Sequence, residues 1–207
     1  MEKNNTKQVI LNESLKLFAI KGFDGVSVRD IAGKVGIKQS SLYKHFENKQ
    51  AIFNSLLDYM SEYYEKKMSS LNVPLGELED VAKQYENSSS EILYEICKAI
   101  FIESYSDEKE IQFRRMLTIE QFNNEDIQRA YKKFYIDDIL EYQASLFEKM
   151  INHGFFIPGD PKVMALHFYS PIYLLINKYD GDYNRENEVL EILKKHIEQF
   201  ASMYVAP

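Results

Sequence analysis

The sequence predicts an all-α protein, and three observations carry that expectation. Apolar residues recur at helical spacing along most of the chain, no segment alternates with period two beyond a few residues, and helix start and stop signals divide the chain repeatedly. The 207 residues are 45% hydrophobic and 28% charged, an ordinary globular composition that excludes wholesale disorder and supports a buried core. A chain of this length is either one large domain or a small domain joined to a larger one.

The first helix is expected from about Lys7 to Lys21, with Ile10, Ser14, Leu17 and Phe18 on one face and Leu11 and Leu15 beside them. Gly22 stands where a left-handed C-terminal cap belongs. Ser27 then acts as N-cap with Asp30 three positions on, close to a capping box. The second helix turns Val28, Ile31, Ala32 and Val35 inward and stops at Gly36. A third, short helix runs from Gln39 to His45 with Leu42 and Phe46 inward, and Asn48 caps a longer one from Lys49 through Met68.

Pro74 and Gly76 mark a break, and Ser88-Ser89-Ser90-Glu91 opens a helix to about Ser104. Another helix is expected near Glu108–Phe122, and a long one from Glu125 to about Asn152, ending at Gly154. Asp160 as N-cap with Pro161 at the first helical position starts the next, which ends near Asp180-Gly181. The last helix, about Asn187 to Val205, has one row of Val189, Leu193, His196, Phe200 and Tyr204 and another of Leu190, Ile197 and Ala201. No internal repeat or low-complexity segment is present.

Net charge is -7, but unevenly distributed. Residues 1–50 hold nine Lys/Arg against five Asp/Glu, a balance of +4, while the remainder holds sixteen against twenty-seven, a balance of -11. A basic head on an acidic body suits a small nucleic-acid-contacting segment attached to a domain with another task. Cys97, the single cysteine, reads as a small core residue on an amphipathic helix. No apolar run reaches the ~20 residues of a membrane span, and the N-terminus has no apolar signal segment. A cytoplasmic protein away from the membrane is therefore expected. The four histidines show no metal-binding spacing, and phosphate-loop, nucleophile-elbow and dinucleotide fingerprints are absent. An enzyme is not expected, and no cofactor or metal is implied; a helical enzyme or an effector-binding module without DNA binding is the alternative.

Three short helices with the three-residue turn Gly36-Ile37-Lys38 between the second and third make a helix-turn-helix. Ile31, Ile37 and Leu42 pack the two helices together and leave an outer face of Lys38, Gln39, Ser40, Ser41, Tyr43, Lys44 and His45. Each of these can donate a hydrogen bond and none is acidic, which suits phosphates and base edges.

Residues 9–53, and above all FAIKGFDGVSVRDIAGKVGIKQSSLYKHFENKQAIF, resemble the DNA-binding domain of the TetR family of one-component regulators. The matching elements are Leu17-Phe18 with Gly22, Val28 with Ile31-Ala32, Gly36-Ile37, Leu42-Tyr43-x-His45-Phe46, and Lys49. Two departures are Lys38, where such proteins often have a Ser N-cap, and Gly33, which costs its helix about 1 kcal/mol relative to Ala. The resemblance implies that the third helix enters the major groove. Gln39, Ser40, Ser41 and Lys44 are then expected at base edges; Tyr43, His45 and Lys49 at phosphates; and Ser27, Val28 and Arg29 at the opposite wall of the groove, with Arg29 reaching a base. Read without it, Tyr43 is also compatible with a surface aromatic, His45 with a solvated helix end, and Ser27 with a helix cap alone.

The resemblance also implies a division into a DNA-binding domain over residues 1–50 and a helical effector-binding and dimerisation domain over residues 51–207. The last two helices carry apolar residues on more than one face, which suits either a partner or a closed monomeric core. A homodimer through Val189, Leu193, His196, Ile197 and Phe200 is expected, on a palindromic double-stranded DNA operator. The body holds most of the 15 Tyr and 13 Phe, with Arg114, Gln121, His167 and Tyr173 as candidates to line a pocket for an aromatic or amphipathic small molecule. The whole is expected to be a transcription regulator, specifically a repressor released by its effector.

Overall fold

The computed structural model describes residues 3–71, 76–85 and 90–206, and helices make up its framework. They are α1 (Lys3–Lys21), α2 (Val28–Val35), α3 (Gln39–Leu42), α4 (Lys49–Ser70), α5 (Leu78–Gln84), α6 (Ser90–Ser106), α7 (Glu108–Glu120), α8 (Glu125–Lys132), α9 (Asp138–Asn152), α10 (Pro161–Lys178) and α11 (Glu186–Tyr204). Among the described residues, extended pairing is limited to an isolated antiparallel bridge between Phe156 and Val205. No described helix is long and apolar enough to cross a membrane.

The chain forms two compact units. The first comprises Met1–Lys66 and Glu108–Lys132, so that α7 and α8, from the middle of the chain, pack with the N-terminal helices. Residue 50 therefore divides the chain by expected task, while the compact units divide elsewhere. The core of this unit is made by Ile10, Leu15, Phe18, Ile31, Leu42, Ile52, Phe53 and Leu56, each almost completely withdrawn from solvent. Their side chains come from α1 to α4, and burying each contributes roughly 1.5–3 kcal/mol. Phe18, Phe23 and Phe53 form a chain of rings with centroids 5.3 and 5.4 Å apart. Against α1, helix α7 buries Ile111, Phe113, Met116 and Leu117, and with them the charged pair Glu110 and Arg114.

The second unit comprises Lys67–Asp107 and Lys133–Pro207. One core cluster centres on Phe147, Phe156, Met164 and Phe200, with Val81 and Ala82 supplied by α5. A second gathers Tyr94, Phe101 and Tyr105 from α6 around Leu175, Ile176, Val189, Leu193 and Ile197. The start of α10 is as expected: Asp160 accepts hydrogen bonds from the amides of Lys162 (2.9 Å) and Val163 (3.4 Å), with Pro161 at the first position.

Two local departures have physical causes. The long helix expected from Glu125 to Asn152 contains a π-turn at Lys133–Asp137, joining α8 to α9. A π-turn fits one extra residue into the helical ladder and frees carbonyls; here the Tyr135 carbonyl accepts from the Tyr169 hydroxyl at 3.0 Å. Helix α5, seven residues long and not expected, is stabilised by complete burial of Val81 and Ala82 against α9 rather than by any cap. Pro74, Ser88 and Ser89, read as break and capping box, lie outside the described residues.

Candidate nucleic-acid interface

The interface begins at the cap of α2. The Ser27 hydroxyl accepts from the Asp30 amide at 3.1 Å, and the Ser27 amide donates to the Asp30 carboxylate at 2.8 Å, completing the capping box. The hydrogen bonds from the Ser27 hydroxyl and amide hold the Asp30 carboxyl below the usual carboxylate range. At the other end Gly36 adopts φ 77°, and the Ile37 amide reaches the Ala32 carbonyl at 3.0 Å while that of Gly36 reaches Gly33 at 3.3 Å. This Schellman closure needs a left-handed residue and so a glycine. It reverses the chain in three residues and sets α3 across α2.

Helix α3 ends earlier than expected, at Leu42, but helical bonding continues through the turn: His45 donates to Leu42 at 2.9 Å and Phe46 to Leu42 at 3.1 Å. Leu42 and Phe46 are buried and anchor the segment. Between and around them Lys38, Gln39, Ser40, Tyr43 and Lys44 are exposed, while Ser41 and His45 are half-buried. Tyr43 keeps 48% of its surface, which identifies it as a surface residue, and its hydroxyl accepts from the Gln39 amide group at 3.3 Å. On α2, Ser27 and Arg29 are exposed and Val28 half-buried. The expected surface residues thus come together on one short stretch of backbone whose inward side is fixed.

Lys49 differs from the rest. Its ammonium donates to the Phe23 carbonyl at 2.6 Å and stands 4.2 Å from the centroid of the Phe23 ring. It ties the start of α4 to the turn after α1. Asn48 caps α4 as expected, accepting from the Ala51 amide at 2.8 Å.

The four residues expected to line an effector pocket fall in different units. Arg114, 3% exposed, lies in the first unit 3.8 Å from Glu110, whose carboxylate also accepts from the Tyr64 hydroxyl. Gln121 follows α7 there and donates to the Thr118 carbonyl at 3.2 Å. In the second unit His167 is hydrogen-bonded to the Tyr204 hydroxyl, and Tyr173 stands beside Tyr169 with ring centroids 5.9 Å apart. Of the expected dimer residues, Val189, Leu193, Ile197 and Phe200 are buried in the chain's own core because α6 and α10 cover that side of α11. His196 is half-buried, bonded through Nε2 to the Phe168 carbonyl at 2.8 Å. The apolar side chains left outside on these helices are Val163, Leu166 and Leu174 on α10 and Ile192 and Met203 on α11.

The capped α2, the glycine reversal and the anchored α3 define an all-α protein with an N-terminal helix-turn-helix. Residues 10–56 match the family model described as bacterial regulatory proteins, tetR family. The match covers the helix-turn-helix segment, less than a quarter of the chain. It is similar to YerO, an uncharacterised HTH-type transcriptional regulator of Bacillus subtilis, at 26% identity over 89% of this chain and 60% of that protein. It is also similar, at 36% identity over 28% of this chain and 31% of that protein, to IcaR of Staphylococcus epidermidis, the HTH-type negative transcriptional regulator of the biofilm operon icaADBC. The chain therefore spans less than two thirds of the length of these relatives. Its fold resembles that of a protein from Mesorhizobium loti described as a TetR-family transcriptional regulator, with a TM-score of 0.70 at 21% identity, covering 100% of both chains.

Proposed function

We propose that the protein is a transcription regulator, not an enzyme, that binds double-stranded DNA through α2 and α3 as a homodimer and acts as a repressor released by a small-molecule effector. The observation that carries the DNA reading is the solvent-facing row of donors Lys38, Gln39, Ser40, Tyr43 and Lys44 on a segment whose Leu42 and Phe46 are locked in the core. Donors without acids suit a polyanion, and a rigid base beneath them lowers the ordering cost of recognition. Gln39, Ser40, Ser41, Lys44 and Arg29 are assigned to base edges, and Ser27, Val28, Lys38, Tyr43 and His45 to the walls of the groove and its phosphates. Lys49 uses one of its three N–H donors on Phe23, so it positions α4 first and touches phosphate second.

A single head reads half of a site, so this function calls for a second copy. The exposed Leu166, Leu174, Ile192 and Met203 support the α10–α11 face as its contact, in place of the buried row of α11. For the effector, an aromatic or amphipathic molecule, Tyr173 with its neighbour Tyr169 is the best-supported anchor among the expected residues. Repression rather than activation rests on the likeness to IcaR, and a cytoplasmic location follows from the proposed task.

Selection of bound duplexes from a random pool tests the DNA reading. A two-fold-symmetric consensus, with affinity that falls steeply as salt rises, is the expected result. No enrichment, with binding weak even at low salt, would overturn it. A small-molecule screen that finds compounds raising the melting temperature and releasing the selected duplex is the corresponding check on the effector.

A further inference from the structure

The α10–α11 side of the second unit contains a hollow of about 360 Å³ whose lining includes His167, Pro171, His196, Phe200, Met203 and Tyr204. Pro171 lies inside α10 and has no N–H to return to the preceding turn, a cause of local opening in a helix. The exposed Leu166, Leu174, Ile192 and Met203 lie on these same two helices, and Leu166 and Met203 also line the hollow. Hydrophobic side chains and a largely apolar hollow on one surface fit a second copy of this chain, which the reading of a two-headed DNA-binding protein already requires.

His196 is the titratable group set most tightly into this surface. Its Nε2 is bonded to the Phe168 carbonyl at 2.8 Å. A carbonyl only accepts, so Nε2 carries the hydrogen and Nδ1 is the basic nitrogen. Burial holds the ring's pKa below the usual histidine value, opposed in part by the bond to Phe168. Most charged groups on the elements packed around α11 are paired among themselves. From α10 comes His167, bonded to the Tyr204 hydroxyl of α11. From α6 come Glu91, paired with Lys194, and Lys98, paired with Glu95; Tyr94 lies under Lys98 and Lys194, and the Cys97 thiol is pushed up to about 12 by burial. From the turn Tyr183–Arg185 comes Arg185, paired with Glu188 and Asp182. On α11 itself Lys195 is paired with Glu191, and Glu198 follows on the exposed side.

We propose that dimerisation is pH-gated: a second copy seats on the α10–α11 face while His196 is neutral, and protonation of that ring opens the contact. The inference rests on the dimer reading above. Covering the hollow removes His196 further from water, so the dimer binds the proton more weakly than the monomer does. The sign follows from linkage. A histidine with a depressed pKa contributes fully above the less buried state's pKa, and the contribution is lost as pH falls below it. Two such rings per dimer allow up to about a 100-fold loss of association per pH unit in the acid limb.

Sedimentation velocity on the full chain from pH 8 to pH 5.5 is the test, with circular dichroism confirming that the helices persist. The dimer constant is expected to stay level from pH 8 to 7 and to weaken as pH falls from about 6.5 towards 5.5, at most about 100-fold per pH unit. His196→Gln is expected to remove the dependence, and His167→Gln, in the same hollow, to retain it. A wild-type dimer whose constant is flat to pH 5.5 overturns the gate while leaving the dimer reading intact, whether or not the variants fold. A dependence that survives in His196→Gln also overturns the gate. A monomer at pH 8 overturns both.

Discussion

Gly33 and Gly22 are both glycines of the head, and their surroundings give opposite expectations. Gly33 lies within α2 with open space where a Cβ would point. Gly33→Ala is expected to raise stability by about 1 kcal/mol in urea unfolding, since alanine loses less backbone entropy in a helix. Gly22 has φ +74°, and a Cβ there would collide with the Glu120 carboxylate. Gly22→Ala is expected to lower stability by more than ~1 kcal/mol in the same assay. The cost of Gly33 was legible in the sequence because it is a property of the helix alone; the Glu120 contact was not, because it joins residues far apart in the chain. Lys49 shows the same limit. Its place at the start of α4 suggests an outward phosphate donor, while its actual bond to the Phe23 carbonyl is a tertiary contact across 26 residues.

Helices α2 and α10 began where their caps indicated because a cap is a local hydrogen bond between near neighbours, as at Ser27–Asp30 and Asp160–Lys162. The π-turn at Lys133–Asp137 left no such signature, since its carbonyl is satisfied by Tyr169 from another helix. Tyr169→Phe removes that donor, and faster amide exchange confined to residues 133–138 is the expected outcome by mass spectrometry. Unchanged exchange there would show that the bond does not hold the turn. In α7 the pair Glu110 and Arg114 is buried at 4% and 3% exposure, although periodicity alone cannot tell a buried charge from a surface one. Arg114→Met leaves Glu110 buried without this partner and is expected to cost roughly 3–5 kcal/mol, measured by thermal or urea unfolding. The buried stripe of α11, Val189, Leu193, Ile197 and Phe200, draws on both of the apolar rows expected from the sequence, because α6 and α10 decide which side faces the chain's own core.

At the scale of the molecule, the uneven charge is the property that ties fold to function. The basic balance of residues 1–50 persists within a chain of net charge -7, so under the proposed function attraction to DNA is local to the head while the remainder repels it. That opposition favours docking by α2 and α3 over nonspecific adhesion by other surfaces. The most direct test is affinity for a selected duplex across salt concentration, in the wild type and in Gln39→Ala and Lys44→Ala. The wild type is expected to bind with a steep negative salt slope. Lys44→Ala is expected to weaken binding, and Gln39→Ala to relax preference at one base pair by ~1–3 kcal/mol. If both variants bound as the wild type does, with the same slope and the same preference, α3 would not be the element that reads DNA.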